Sequence, residues 1–82
     1  MLELKDTIDL MNSTDYKERF RAEYWQTKIR FDKLRKMSVK HEAGKLDFKP
    51  NCPQHLLSQQ KMHMDNYLRC LEVRAEIEGI EL

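Results

Sequence analysis

Few side chains in this sequence of 82 residues could do chemistry, and their spacing limits which chemistry is open to them. Cys52-Pro53-Gln54-His55 sets a thiol and an imidazole at metal-ligand spacing. Structural zinc, however, takes four ligands, usually as two such pairs. His41 and His63 supply no second pair, so no metal is expected. His41 reads as the last position of an apolar seam and His63 as a surface residue. No serine or cysteine has a base and an orienting acid placed to activate it. The two glycines, Gly44 and Gly79, fall where helices end and read as caps, not as a loop that cradles phosphate. Neither catalytic residues nor a cofactor are expected, and the chain does not read as an enzyme.

Binding chemistry is better represented. Residues 15–43 carry nine Lys/Arg against five Asp/Glu, and residues 28–40 carry six against one. Residues 53–82 carry three against five. Lys33, Lys36 and Lys40 continue the helical line of Ala22, Trp25 and Ile29. A basic stripe beside an aromatic ring suits a ligand that bears phosphate and stacks a base. The plainer reading, which the numbers favour, is a solvated helix face with some ion pairs to its neighbour. If the two long helices pair antiparallel, Tyr16 and Arg19 of the first should reach the same end as Tyr67 and Arg74 on the flank of the second. Arginines gathered there could clamp phosphate, or they could pair with Glu72, Glu76 and Glu78.

These residues sit on helices. A composition that is 35% charged and holds two glycines and two prolines favours helix and leaves little for loops. In residues 1–12, Leu4, Ile8 and Met11 form one short apolar stripe that must dock on something to be stable. Ser13-Thr14-Asp15 stops that segment and starts the next, with Asp15 and Glu18 at capping-box spacing. Over residues 15–43, Phe20, Tyr24, Thr27, Phe31, Leu34, Ser38 and His41 alternate steps of four and three, the pattern of a helix seam. Residues 44–52 form the loop, and Leu46 and Phe48 are expected to fold back over the turn. Pro53 fits the first turn of a helix over 53–79, whose stripe is Leu57, Met64, Leu68, Leu71 and Ala75. The short loop makes the two long helices antiparallel. Phe31 should then face Met64, Thr27 face Leu68, Tyr24 face Leu71 and Phe20 face Ala75. The expected fold is all-α: one domain over 1–82, a long antiparallel hairpin with a short N-terminal helix.

The first long helix has apolar residues on two sides. Ala22, Trp25 and Ile29 lie opposite the seam. Residues 1–12, a second copy of the chain, or a ligand stacked on Trp25 could cover them. A chain this short buries only about 60–65% of its unfolded surface and commonly gains stability by assembling. No apolar run approaches the ~20 residues of a membrane span, and no signal peptide is read at the N-terminus. Cys52 and Cys70 would lie ~27 Å apart along one helix and cannot pair within the chain. That cysteine usage fits the cytosol.

From Met11 onward the chain resembles a family of small proteins of phages and prophages of Gram-positive bacteria and of crAss-like phages. The residues that carry the resemblance are Asp15-Tyr16-Lys17-Glu18-Arg19-Phe20, Glu42-Ala43-Gly44-Lys45-Leu46-Asp47-Phe48 and Cys52-Pro53. They continue with Leu56-Leu57, Gln60, Met64, Tyr67-Leu68, Leu71-Glu72 and Arg74-Ala75-Glu76. The architecture is also similar to helical-hairpin phage proteins that sequester cyclic-nucleotide immune signals. The resemblance implies a counter-defence protein of the host cytosol that binds such a signal without cleaving it. It would form a homo-oligomer, with Tyr16, Arg19, Trp25, Lys28 and Arg74 holding the ligand. The alternative is an inhibitor or adaptor that grips a host defence protein through Ala22, Trp25 and Ile29. Polymeric nucleic acid is disfavoured by the near-neutral net charge of +1.

Overall fold

The computed structural model describes residues 2–82. A 3₁₀ turn, Leu4–Thr7, runs into a single α-helical turn, α1 (Ile8–Met11). Two long helices follow, α2 (Tyr16–Glu42) and α3 (Gln54–Glu78), packed antiparallel as a hairpin. No strand occurs among the described residues. The molecule is elongated, with extents of 43 × 25 × 20 Å.

The start of α2 is built by three polar side chains. The Asp15 carboxylate accepts the Lys17 backbone N–H at 3.0 Å. Glu18 does not reach back to Asp15 as a capping box would require. It accepts a 2.6 Å hydrogen bond from the Ser13 hydroxyl, which itself accepts the Asp15 N–H at 3.0 Å. Ser13 thus stands between the two acids and pins the link from α1 to α2.

Both long helices end on a left-handed glycine. Gly44 has φ 70° and Gly79 has φ 69°. At Gly79 the reversal lets the Ile80 N–H donate to the Ala75 carbonyl at 2.9 Å, satisfying one of the last carbonyls of α3. It also turns Ile80 into the core, where it is 6% exposed.

The core is the expected seam: Phe20 and Tyr24 of α2 against Leu68, Leu71 and Ala75 of α3, closed by Ile80, with Trp25 and Phe31 at its edge. The register holds as well. Tyr24 reaches Glu72, the neighbour of Leu71, and Arg74, the neighbour of Ala75, lies over Phe20. This core occupies the half of the hairpin nearest the C-terminus. Toward the turn, Phe31, Leu34, Leu57 and Met64 are only half-buried and His41 is exposed, so it does not complete the seam. The exception there is Ser38, 3% exposed, whose hydroxyl has no hydrogen-bond partner among the described residues.

The N-terminal segment packs on the second side of α2. Its inward residues differ from the expected stripe. Thr7 is buried and Leu4 and Leu10 are half-buried, whereas Ile8 and Met11 are 51% and 48% exposed. The 3₁₀ turn explains this: with three residues per turn, positions three apart eclipse, so Leu4 and Thr7 share a line.

Candidate functional site

Tyr16 opens α2, and Arg74 and Glu78 are one turn apart near the end of α3, so the antiparallel packing brings all three to the end of the hairpin that holds the C-terminus. Arg74 Nη2 donates to the Tyr16 hydroxyl at 2.7 Å. That hydroxyl donates to Glu78 Oε1 at 3.0 Å, and Arg74 Nε donates to Glu78 Oε2 at 3.3 Å. The guanidinium carbon lies 4.9 Å from the centre of the Phe20 ring, and Tyr16 meets Phe20 edge-on at 6.2 Å. Desolvation is the largest single influence on Arg74 and works against its charge, but Tyr16 and Glu78 together outweigh it and push its pKa above the usual value. The result is a fixed cation held on an aromatic floor beside a half-exposed phenol ring.

Deeper along the same side, Tyr24 is 6% exposed and its hydroxyl donates to Glu72 Oε2 at 2.8 Å. Burial, and then the bond to Glu72, push its pKa up to about 12. An open cavity of about 730 Å³ lies here, lined by Tyr24, Glu72, Glu76, Ile80, Glu81 and Leu82 among others. It is the more spacious hollow at this end, but its carboxylates repel phosphate.

The five residues expected to hold ligand are not one constellation. Tyr16 and Arg74 are in contact. Arg19 is one turn from Tyr16, but its Nη1 donates to the Ser13 carbonyl at 2.9 Å, bracing the link before α2. Trp25 is half-buried on the opposite side of α2, edge-on to Tyr24 at 5.2 Å and beside Leu2, Leu10, Arg21 and Leu82. Lys28 pairs with Asp32 at 3.2 Å and lies 5.8 Å from the Phe31 ring centre.

The side of α2 that carries Ala22, Trp25 and Ile29 meets the chain's own N-terminal segment. Gln26 donates to the Thr7 hydroxyl at 2.9 Å and to Met11 Sδ at 3.5 Å. Ala22, one turn before Gln26, is 1% exposed, so it offers no surface to a partner in the chain as folded. Trp25 and Ile29 remain half-buried.

At the turn end, Lys33, Lys36, Met37 and Lys40 form one wall of a cleft of about 310 Å³, and Leu46, Asp47 and Phe48 form the other. The loop folds back against the lysine line of α2 and not over the seam, leaving Phe48 56% exposed. Both walls were legible in the sequence. Their meeting was not, because periodicity places residues on a helix but not on the irregular return between α2 and α3. Among the described residues no three His, Cys, Asp or Glu side chains gather as metal ligands. No helix is long and apolar enough to cross a membrane.

A family model described as Sequestin matches residues 14–77. The match takes in all of α2, the loop and nearly all of α3, and leaves out the N-terminal segment. No curated protein and no solved structure matches the chain.

Proposed function

The chain belongs to the Sequestin family, and from that premise we propose that it sequesters a small signal, binding it without cleaving it. The family's name speaks for sequestration. The resemblance to phage helical-hairpin proteins supplies the setting: counter-defence in a bacterial cytosol, with a cyclic nucleotide-type immune signal as ligand. The observation that carries the reading is Arg74 fixed on Phe20 beside the Tyr16 ring. A base stacks on the exposed phenol, and phosphate takes the guanidinium from Glu78. That exchange costs little, since solvent screens an exposed pair such as Arg74–Glu78. Arg19, one turn along α2, adds a second cation. Trp25 and Lys28 lie roughly 13–18 Å further along the helix and do not join this group within one chain. In our reading the ligand is held between copies of the chain. Calorimetric titration with a panel of cyclic dinucleotides and cyclic ADP-ribose-type compounds tests the proposal. Saturable binding that weakens in Arg74→Ala is expected; no heat at high micromolar ligand would end it.

A second reading, an inhibitor that grips a host protein, draws on a different observation. Val73 and Ile77, one turn apart on α3, are exposed, Ile77 at 79%. Large exposed apolar residues on one face mark contact surfaces. A host protein recovered by the wild type but not by Ile77→Asp would favour this reading over sequestration.

A further inference from the structure

The turn end of the hairpin carries a cleft that the proposed function leaves unused. Lys33, Lys36 and Lys40 are three and four residues apart, so their ammonium groups lie along one face of α2. Like charges at these spacings repel one another. None of the three is held in an ion pair: among the described residues, none has a carboxylate within 4.0 Å, although Glu3 and Asp32 share a neighbouring hollow with Lys33 and Lys36, whereas Lys28, nearby on the same helix, is held by Asp32 at 3.2 Å. Asp47 is the one acid lining the cleft, which leaves it a surplus of two positive charges. The wider field agrees. Residues 28–49 hold eight Lys/Arg against three Asp/Glu, while the rest of the chain holds seven against eleven. Such a one-signed concave site concentrates anions.

A plain solvated lysine face would be convex and bare. This one is faced by the returning loop, which sets Leu46 and the half-exposed Phe48 ring across from the ammonium groups. The space of about 310 Å³ is at the small end of the range for small-molecule sites. An apolar ring wall opposite a row of cations selects for an anion that has a flat apolar part. A bare inorganic ion would leave Phe48 without a role, and a long nucleic acid would find no continuation of the basic surface onto the acidic α3.

We propose that the Lys33–Lys36–Lys40 and Phe48 cleft is a binding site for a small ligand that carries two or more phosphates and a planar ring, the chemistry of a nucleoside diphosphate. The phosphates bridge the lysines and the ring stacks on Phe48. The site stands on its own geometry, so it goes beyond the sequestration reading and survives if that reading fails.

The test uses the full chain and three probes: ADP, inorganic pyrophosphate and adenosine. Amide shifts in NMR titrations are expected to centre on Lys33, Lys36, Lys40 and Phe48, with ADP bound at millimolar concentration or tighter and adenosine bound more weakly than ADP. Lys36→Glu, at an exposed position, should weaken ADP and pyrophosphate by about tenfold or more, with Lys40→Glu as a second variant should the first fold poorly. Phe48→Ala should weaken ADP by about tenfold while leaving pyrophosphate nearly unchanged, because stacking belongs to the base. Absence of shifts, shifts centred on Tyr16 and Arg74, or equal loss of ADP and pyrophosphate in Phe48→Ala would overturn the site. A cyclic-nucleotide titration alongside separates the two proposals. ADP bound in the cleft with no cyclic nucleotide bound keeps the cleft and ends sequestration. A bound cyclic nucleotide with cleft resonances unmoved by ADP and pyrophosphate does the reverse.

Discussion

Two hydroxyls in the seam have opposite fates. Tyr24 is 6% exposed, yet its long side chain carries the hydroxyl to Glu72. Ser38 is 3% exposed and too short to leave the seam, and its hydroxyl stays without a hydrogen-bond partner. An unsatisfied buried hydroxyl costs on the order of 1 kcal/mol or more. Ser38→Ala should therefore raise the unfolding midpoint in urea by about 1 kcal/mol of stability; a lower midpoint would mean that the hydroxyl has a partner in solution. Tyr24 gives the opposite test. Its folded pKa of about 12 lies above the ordinary 10.0, so folding favours the neutral phenol. Its contribution is whole below pH 10 and is lost as pH rises from about 10 to 12, an effect that solvent screening of the hydroxyl holds to about 1 kcal/mol. Denaturant midpoints should fall over that window in the wild type and fall less in Tyr24→Phe. A hydrophobic pattern assigns both residues to the seam but cannot tell which of them finds a partner, because that depends on reach across to α3.

At the scale of elements, the hairpin was legible because its determinants are local. Alternating steps of four and three give the seam, and Gly44, Pro53 and Gly79 fix its ends. The facing pairs follow from the short loop. Gly79 is the clearest local determinant, with φ 69° and open space where a Cβ would point. Gly79→Ala should cost about 1–2 kcal/mol from backbone conformation alone, read as a lower thermal midpoint; no change would show that the tail leaves Ile80 free to move. The N-terminal segment was less legible. An α-helical period selects Leu4, Ile8 and Met11, whereas the 3₁₀ turn presents Leu4 and Thr7. Spacing cannot reveal that change of helix type. The capping box was misread for a related reason: Ser13, Asp15 and Glu18 all have caps in reach, and the winner depends on how the preceding link folds. In the candidate site, Tyr16 and Arg74 meet because register alone brings them together. Trp25 and Lys28 lie elsewhere because nine and twelve residues on a helix are also turns around it.

The molecule as a whole is asymmetric along its long axis of 43 Å. The core and the C-terminal tail lie at one end; the Lys33–Lys36–Lys40 row, the loop and a lightly packed seam lie at the other. A chain of 82 residues with its core in one half gains by assembling. We expect sedimentation to give a mass above that of one 9.9 kDa chain; a monomer at all concentrations would argue against a ligand held between copies. The family match leaves out the N-terminal segment that covers Ala22, so sequestration should reside in the hairpin. Binding without turnover leaves the ligand recoverable, and that recovery can be measured. A cyclic nucleotide that binds is incubated with excess protein, the complex is heat-denatured, and the released ligand is assayed by chromatography. Free ligand is expected to disappear on mixing and to return intact and in full after denaturation. Ligand that never leaves solution, or that returns cleaved, would contradict binding without turnover.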